Sequence, residues 1–327
     1  MSASAYINGR FLNQSVTGVQ RYALSVRATL EETAVTLTPK ASSTLRRHYW
    51  EQAILPAKLR NLDSPLLLNL CNTAPIRYSN QIATIHDVAV FENPTWFNPL
   101  FAAYYRWMLP RIAKSAKHIV TVSHFSKLEI QKHLGVRPND ISVICPSLSS
   151  NLLNARVVKP SAVSERPFVL MVGNHDPRKH IDWAATILGE WIAQNGMQLI
   201  MLNQSSSNFK SKPNHANNAV LLLSNVNDSE LKWLYQNALL LIQPSLYEGF
   251  GLVPFEARQF GTRVLLSDIP VNREVHGQNA LYFASNDRNS LIEQTAFALK
   301  SLPQKAAHAY DNTDFDSSWK KLIERFS

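Results

Sequence analysis

Two carboxylates, Glu248 and Glu256, stand eight positions apart and enclose Gly249-Phe250-Gly251-Leu252-Val253-Pro254-Phe255. An ionised carboxylate only accepts hydrogen bonds, and it has several lone pairs to offer. That suits the hydroxyls of a sugar or a ribose. Upstream, the apolar run 238–242 reads as a buried strand that ends at Pro244. The two glycines then mark a tight loop, and an apolar helical pattern begins near Val253. Strand, glycine loop and helix together present backbone N–H groups to a phosphate. A second stretch, 168–180, has the same logic: an apolar strand runs into Gly173, and Arg178 and Lys179 follow at a helix start. Arginine can fork two phosphate oxygens and lysine supplies a mobile point charge, so the pair suits a diphosphate. Taken alone, an Arg-Lys dipeptide is more often a solvated surface pair. His175, Asp176 and His180 lie in the same stretch but lack a recognised ligand spacing, and no metal site is expected.

The first half of the chain offers weaker signals. Gly18 stands immediately before an amphipathic segment, where close backbone approach and a helix N-terminus favour an anion. His86 follows an apolar run, at the carboxyl end of an expected strand. A satisfied structural histidine is the ordinary alternative. Asp87 is read as orienting the loop. Ser123 is placed as the N-cap of a helix. Aromatic residues stand near cations at Trp50-Glu51-Gln52 and at Tyr104-Tyr105-Arg106-Trp107, with Arg111, Lys114 and Lys117. That mixture suits a lipid headgroup or sugar interface. An ordinary amphipathic helix explains it as well.

These residues need elements to hold them. Apolar runs at 65–70, 81–85, 118–122 and 141–144 read as strands, with helical patterns at 19–30 and 100–116, the latter interrupted near Pro110. The alternation restarts at 168–172, 198–202, 220–223, 239–242 and 263–266, with helices at 181–193, 228–237 and 253–260. Segment 203–218 is polar and reads as a surface loop, and 147–166 as an interdomain linker. The fold class expected is α/β, with two Rossmann-like domains facing across a cleft and ligand near the carboxyl ends of the strands. The expected domains are 1–155, 156–310 and a terminal helix over 311–327.

Composition limits the alternatives. Of the net charge of +9, residues 1–155 carry +8 and residues 156–327 carry +1. The basic half could meet an anionic membrane surface. No run of five basic residues and no nucleic-acid module occurs, so no nucleic-acid partner is expected. No apolar stretch is long enough to span a membrane, and the N-terminus lacks the pattern of a signal peptide. Cys71 and Cys145 each sit beside an apolar run and read as buried free thiols, consistent with a reducing cytoplasm.

The ordered set Ser245-Leu246-Tyr247-Glu248-Gly249-Phe250-Gly251-Leu252, Glu256, Gly261-Thr262-Arg263-Val264, Ser267-Asp268-Ile269-Pro270, Arg273-Glu274-Val275 and Ala280-Leu281-Tyr282-Phe283 resembles the retaining GT-B glycosyltransferases of family 4. Gly18-Val19-Gln20-Arg21-Tyr22 and Ile85-His86-Asp87 extend the likeness into the first half. The resemblance implies a nucleotide diphosphate sugar as donor, bound by the second domain. Glu256 would accept from ribose hydroxyls and Glu248 from the transferred sugar. Arg178, Lys179, Gly173 and the Gly251 and Leu252 amides would meet the diphosphate. Gly18 and His86 would approach from the first domain as the cleft closes. The catalytic residues implied are Glu248, His86, Arg178 and Lys179. No cofactor or metal is expected; there is no Asp-x-Asp, and the two cations can carry the diphosphate charge. No convincing protein nucleophile is evident, which favours a front-face route.

The overall likeness is to bacterial polysaccharide and O-antigen enzymes. GDP-mannose is accordingly the first donor expected, with a saccharide or polyprenyl-linked saccharide as acceptor and a cytoplasmic or peripheral-membrane location. Alternatives are another GT-B enzyme such as a sugar-nucleotide epimerase, or a non-catalytic nucleotide-sugar or anionic-lipid binder. The sequence departs from the family at Val253, at His180 in place of the usual Asn, and at Arg258-Gln259-Phe260 in place of small residues.

Overall fold

The computed structural model describes residues 4–14, 16–40, 43–203, 220–300 and 313–326. The chain divides into two compact units, Met1–Ser149 with Asp311–Ser327, and Ser150–Tyr310. Each is built on one six-stranded parallel sheet. In the first unit the strands are β1 (Ala5–Asn8), β2 (Ala34–Leu37), β3 (Leu67–Asn69), β4 (Gln81–Thr84), β5 (His118–Thr121) and β6 (Ile141–Val143), in the order β2-β1-β3-β4-β5-β6. In the second they are β7 (Phe168–Gly173), β8 (Gln198–Asn203), β9 (Val220–Ser224), β10 (Leu240–Gln243), β11 (Val264–Ser267) and β12 (Leu281–Phe283), in the order β12-β11-β10-β7-β8-β9.

The second sheet explains why its strands read as continuous apolar runs. Phe168, Leu170 and Val172 enter one core cluster, with Leu231, Leu234 and Tyr235 of the helix Asp228–Asn237. The intervening Val169 and Met171 enter another, with Ala184, Leu188 and Ile192 of the helix Ile181–Gln194. A parallel strand covered on both faces has no polar side to alternate with. β7 pairs with β10 on one flank and β8 on the other, so the chain reverses its direction across the sheet there. Such a switch point leaves a crevice outside the carboxyl ends of the strands.

Several expectations need amendment. The helix Pro99–Ser115 runs unbroken through Pro110. Pro110 offers no N–H to the Arg106 carbonyl, and next to it Arg111 Nη1 donates to the Trp107 carbonyl at 2.7 Å. Segment 147–166 is not a free linker. Leu152, in the short helix Ser150–Asn154, and Val163 are both buried in the second unit's core. Cys145 is exposed and Cys71 half-buried, because the apolar runs beside them turn other side chains inward. Helical turns from Thr44 to Arg60, and the strand Ala34–Leu37, were not legible from periodicity. The polar loop expected at 203–218 lies, but for its first residue, outside the described residues.

The helix Thr313–Phe326 packs within the first unit through Phe315, Trp319, Leu322 and Ile323. Thr29 Oγ1 donates to Asp316 at 2.5 Å. No helix among the described residues is long and apolar enough to cross a membrane.

Candidate functional site

A dense polar cluster of the second unit forms where β7 and β10 end side by side. After Gly173 the chain makes a short 3-10 turn, Pro177–Lys179, whose Asp176 cap accepts from the Arg178 amide at 2.9 Å. His180 follows at φ 55°, in the left-handed region, and opens the next helix. An Asn tolerates that conformation well. Histidine is among the other residues found there, and here its ring stacks on Trp183 with centroids 4.6 Å apart. This is how the chain accommodates its departure at position 180.

Lys179 Nζ reaches the loop after β10 and donates to both oxygens of Glu248, at 2.6 and 2.8 Å. Gln243 Nε2 and Ser245 Oγ donate to the same carboxylate's Oε1 at 2.5 and 2.7 Å. Oε1 thus carries three donors, while Oε2 carries Lys179 and keeps acceptor capacity. Burial pushes the Glu248 carboxyl up. Lys179, Arg178 and the donated hydrogen bonds outweigh it, and the group is held below the ordinary carboxylate range. Arg178 Nη2 lies 3.4 Å from Asp176, and the Arg178 carbonyl accepts from the Leu246 amide at 2.8 Å, tying the two loops together. Gln243 and Ser245 were not singled out as site residues. The signal was there in Gln243, a polar residue closing an otherwise apolar strand.

Gly251 has φ +88° and caps the helix Leu252–Gln259. A side chain there would strain the backbone, which is the physical reason for glycine. Leu252 is the first helical residue. Glu256 is buried on that helix and accepts from Tyr235 Oη at 3.0 Å. Gly173 is less constrained: a Cβ would meet Ile181 and Lys179 at ordinary contact distances of 3.7–3.9 Å. His175 Nδ1 pairs with Asp182 at 2.9 Å, Asp176 serves as the cap, and His180 stacks on Trp183, so these three side chains are engaged separately.

The first unit holds the other expected residues. Gly18 is exposed at the start of the helix Gly18–Thr29, behind a Thr17–Gln20 capping box. Tyr22 of that helix packs edge-on against His86, centroids 4.9 Å apart. His86 is buried; its backbone N–H donates to Asn72 at 2.6 Å. Its Nε2 lies 2.9 Å from the Leu70 carbonyl, which can only accept. The ring is therefore the Nε2–H tautomer with Nδ1 as acceptor, and burial lowers its pKa so that it stays neutral. Ser123 does cap the next helix, accepting from the Ser126 amide at 3.0 Å. Glu51, in a stretch that read as an interface or as an ordinary amphipathic helix, is fully buried. Arg10 reaches it at 2.7 Å, and Asn8 and Thr73 complete its hydrogen bonds. Tyr104 Oη meets His48 at 3.1 Å, while Leu100 and Trp107 stay exposed.

Residues 156–313 match the model of glycosyl transferases group 1, and residues 64–150 that of Glycosyltransferase Family 4, together about three quarters of the chain. This chain belongs to the family 4, group 1 glycosyltransferases. It is 31% identical over 247 residues to the O-antigen chain mannosyltransferase RfbU of Salmonella typhimurium, covering 74% of this chain and 66% of that protein. To O-antigen chain mannosyltransferase B of Escherichia coli it is 24% identical over 261 residues, covering 76% and 65%. The chain thus spans just under two thirds of the length of these relatives. Among solved structures, WaaG, a glycosyltransferase involved in lipopolysaccharide biosynthesis, matches with TM-score 0.71 at 17% identity, over 99% of both chains. Sucrose-phosphate synthase from Thermosynechococcus elongatus matches with TM-score 0.70 at 15% identity, over 98% and 96%. The family 4 chain therefore has the GT-B fold, with its two parallel six-stranded Rossmann-like sheets.

Proposed function

We propose that this glycosyltransferase moves a hexosyl group, mannose first, from a nucleoside diphosphate sugar to a saccharide or polyprenyl-linked saccharide in cell-surface polysaccharide synthesis, with retention of configuration. The observation that carries the reading is Glu248. It is buried and ionised, anchored on Oε1 by three donors, with Oε2 able to accept a sugar hydroxyl. Lys179 and Arg178 on one side, and the amides of the Gly251 turn on the other, supply positive potential for a departing diphosphate. Glu256 is the acceptor for ribose hydroxyls. The mannosyl and O-antigen assignments rest on relatives at 24–31% identity. Solved relatives include one in complex with UDP and glucose.

A carboxylate this heavily hydrogen-bonded is a poor nucleophile, which favours the front-face route. The donor's C1–O bond breaks, the acceptor oxygen bonds C1 on the same face, and its proton passes to the leaving phosphate oxygen. Trapping a covalent glycosyl-enzyme would refute that route. His86, neutral and with Nδ1 unprotonated, is assigned with Gly18 to the acceptor-side unit, as a hydrogen-bond acceptor rather than a cation. Peripheral attachment to an anionic, cytoplasm-facing membrane is supported by the charge of the first half and by exposed Leu100 and Trp107, the latter under Arg111 at 4.4 Å. Flotation with anionic vesicles tests it, and failure to float removes that part of the reading.

The deciding experiment is thermal unfolding with GDP, UDP, ADP and their sugar conjugates in the presence of chelator. A ligand at a hundred times its Kd stabilises by about 2.7 kcal/mol. Stabilisation selective for guanine nucleotides, reduced by Glu256→Ala, is expected. No stabilisation by any nucleotide refutes the donor assignment. Binding without turnover on any acceptor moves the protein to the non-catalytic reading.

A further inference from the structure

The helix that carries Glu256 departs from its family at Arg258, and the structure shows where that residue goes. Arg258 is half-buried, and among the described residues no carboxylate pairs with it. Its Nη1 lies 3.3 Å from His276 Nδ1. A guanidinium only donates, so Nδ1 must be the lone-pair nitrogen and the proton sits on Nε2. His276 is 1% exposed and its Nε2 stands against Gly251, near enough to feel the Gly251 backbone but without a well-formed hydrogen bond to it. A Cβ built on that glycine would lie 3.4 Å from Nε2 and equally 3.4 Å from Asn272 Oδ1. Asn272 is itself fully buried and anchored by Nδ2 donating to the Ser267 carbonyl at 2.9 Å. The left-handed Gly251 turn thus rests on two buried polar side chains, one of them oriented by an arginine seven residues further along the chain.

A half-buried guanidinium is costly unless its donors are engaged, and the His276 Nδ1 lone pair engages one of them. Arg258 keeps its charge, and its field extends toward the turn through a neutral imidazole. Burial first, and then the Arg258 charge, push the His276 pKa down to about 3, so the ring takes no proton near neutrality.

We infer that Arg258, acting through His276, is a positioning residue for the Gly251 turn: it locks His276 in the Nε2–H tautomer, and the ring so fixed packs against and braces the turn whose amides face the donor's diphosphate. The inference rests on the donor-site reading above. It assigns this chain's own Arg258–His276 pair a share of nucleoside diphosphate binding, behind the residues that touch the ligand. Because the same amides hold the diphosphate in the complex and meet the charge that builds on it as it departs, loss of the brace weakens binding and lowers turnover together.

The test uses the full chain, ¹⁵N-labelled at histidine, with the His276 signals assigned by their loss in His276→Gln. Wild type should show unprotonated Nδ1 and protonated Nε2 at neutral pH. Arg258→Met should mix the tautomers, raise the Kd for nucleoside diphosphate about tenfold, raise the donor KM similarly and lower kcat as well. Arg258→Lys, which restores a donor and a charge, should recover much of the binding. If Arg258→Met does not fold, Arg258→Gln carries the same comparison. Wild-type binding that both variants leave unchanged overturns the inference alone, as does a wild-type His276 protonated on Nδ1. Wild-type protein that binds none of GDP, UDP or ADP overturns the donor reading and this inference with it, while the tautomer signal still reports on the brace.

Discussion

Removing Lys179 should reveal how strongly the loops after β7 and β10 depend on one ion pair. Lys179→Met keeps the aliphatic stem and deletes the ammonium that holds both oxygens of Glu248 at 2.6 and 2.8 Å. The carboxylate's side chain is 7% exposed and that of the lysine 22%. Stripping one partner from a buried pair costs about 3–5 kcal/mol; the partial exposure of Lys179 places this case near about 3. For a unit of this size that is a fall in Tm of about 6–12 °C. Glu248→Gln leaves a lysine that can rehydrate, and should cost less, about 2 kcal/mol. Removing both partners together abolishes the uncompensated charge, so the double variant should lose far less than the sum. The coupling should amount to about 2 kcal/mol or more. The assay is urea unfolding of wild type, both single variants and the double, followed through the transition of the Ser150–Tyr310 unit. Additivity within about 0.5 kcal/mol would mean that the two groups do not act as a pair, and would refute the reasoning.

Two further outcomes follow from backbone and charge. Gly251→Ala places an L-residue at φ +88° and should cost about 1–2 kcal/mol, as should Gly261→Ala at φ +81°. Only the former should weaken nucleotide binding, and equal binding by both variants would remove Gly251 from the site. His276 stays neutral in the native state down to about pH 3, whereas an unfolded histidine takes a proton below about 6.5. Its contribution is therefore fully present above pH 6.5 and is lost as the pH falls from there, by about 2 kcal/mol at pH 5. His48 and His118, each lowered to about 4 with burial the leading cause, act in the same direction. Urea midpoints at pH 7.5 and pH 5 measure this, and equal midpoints would contradict it.

Much of the site was legible because its signals are local. Glu248, Gly251 and Glu256 share one stretch, and a strand, a glycine at positive φ and a helix start each leave marks within a few residues. Ser123 was readable as a cap for the same reason. The strands of the second unit announced themselves as unbroken apolar runs, since both faces are buried. Less legible was the turn-rich stretch Thr44–Arg60, where arginines and histidine obscure the period and the buried Glu51 looks like a surface charge. Pro110 misled because its effect on a helix depends on what supports the loosened turn.

The sequence by itself determined which segments around Glu248 are strands and helices, which carboxylates and cations stand beside the glycine loop, and the need for glycine at 251. These follow from side-chain chemistry and short-range backbone sterics. Only the tertiary structure decided that Lys179 meets Glu248, 69 positions away, because β10 pairs with β7 and sets their carboxyl ends side by side. It alone decided that Gln243 and Ser245 complete the anchor, that Arg10 neutralises a buried Glu51, and that Arg258 reaches His276. Such contacts depend on strand order and helix packing, which no local pattern encodes.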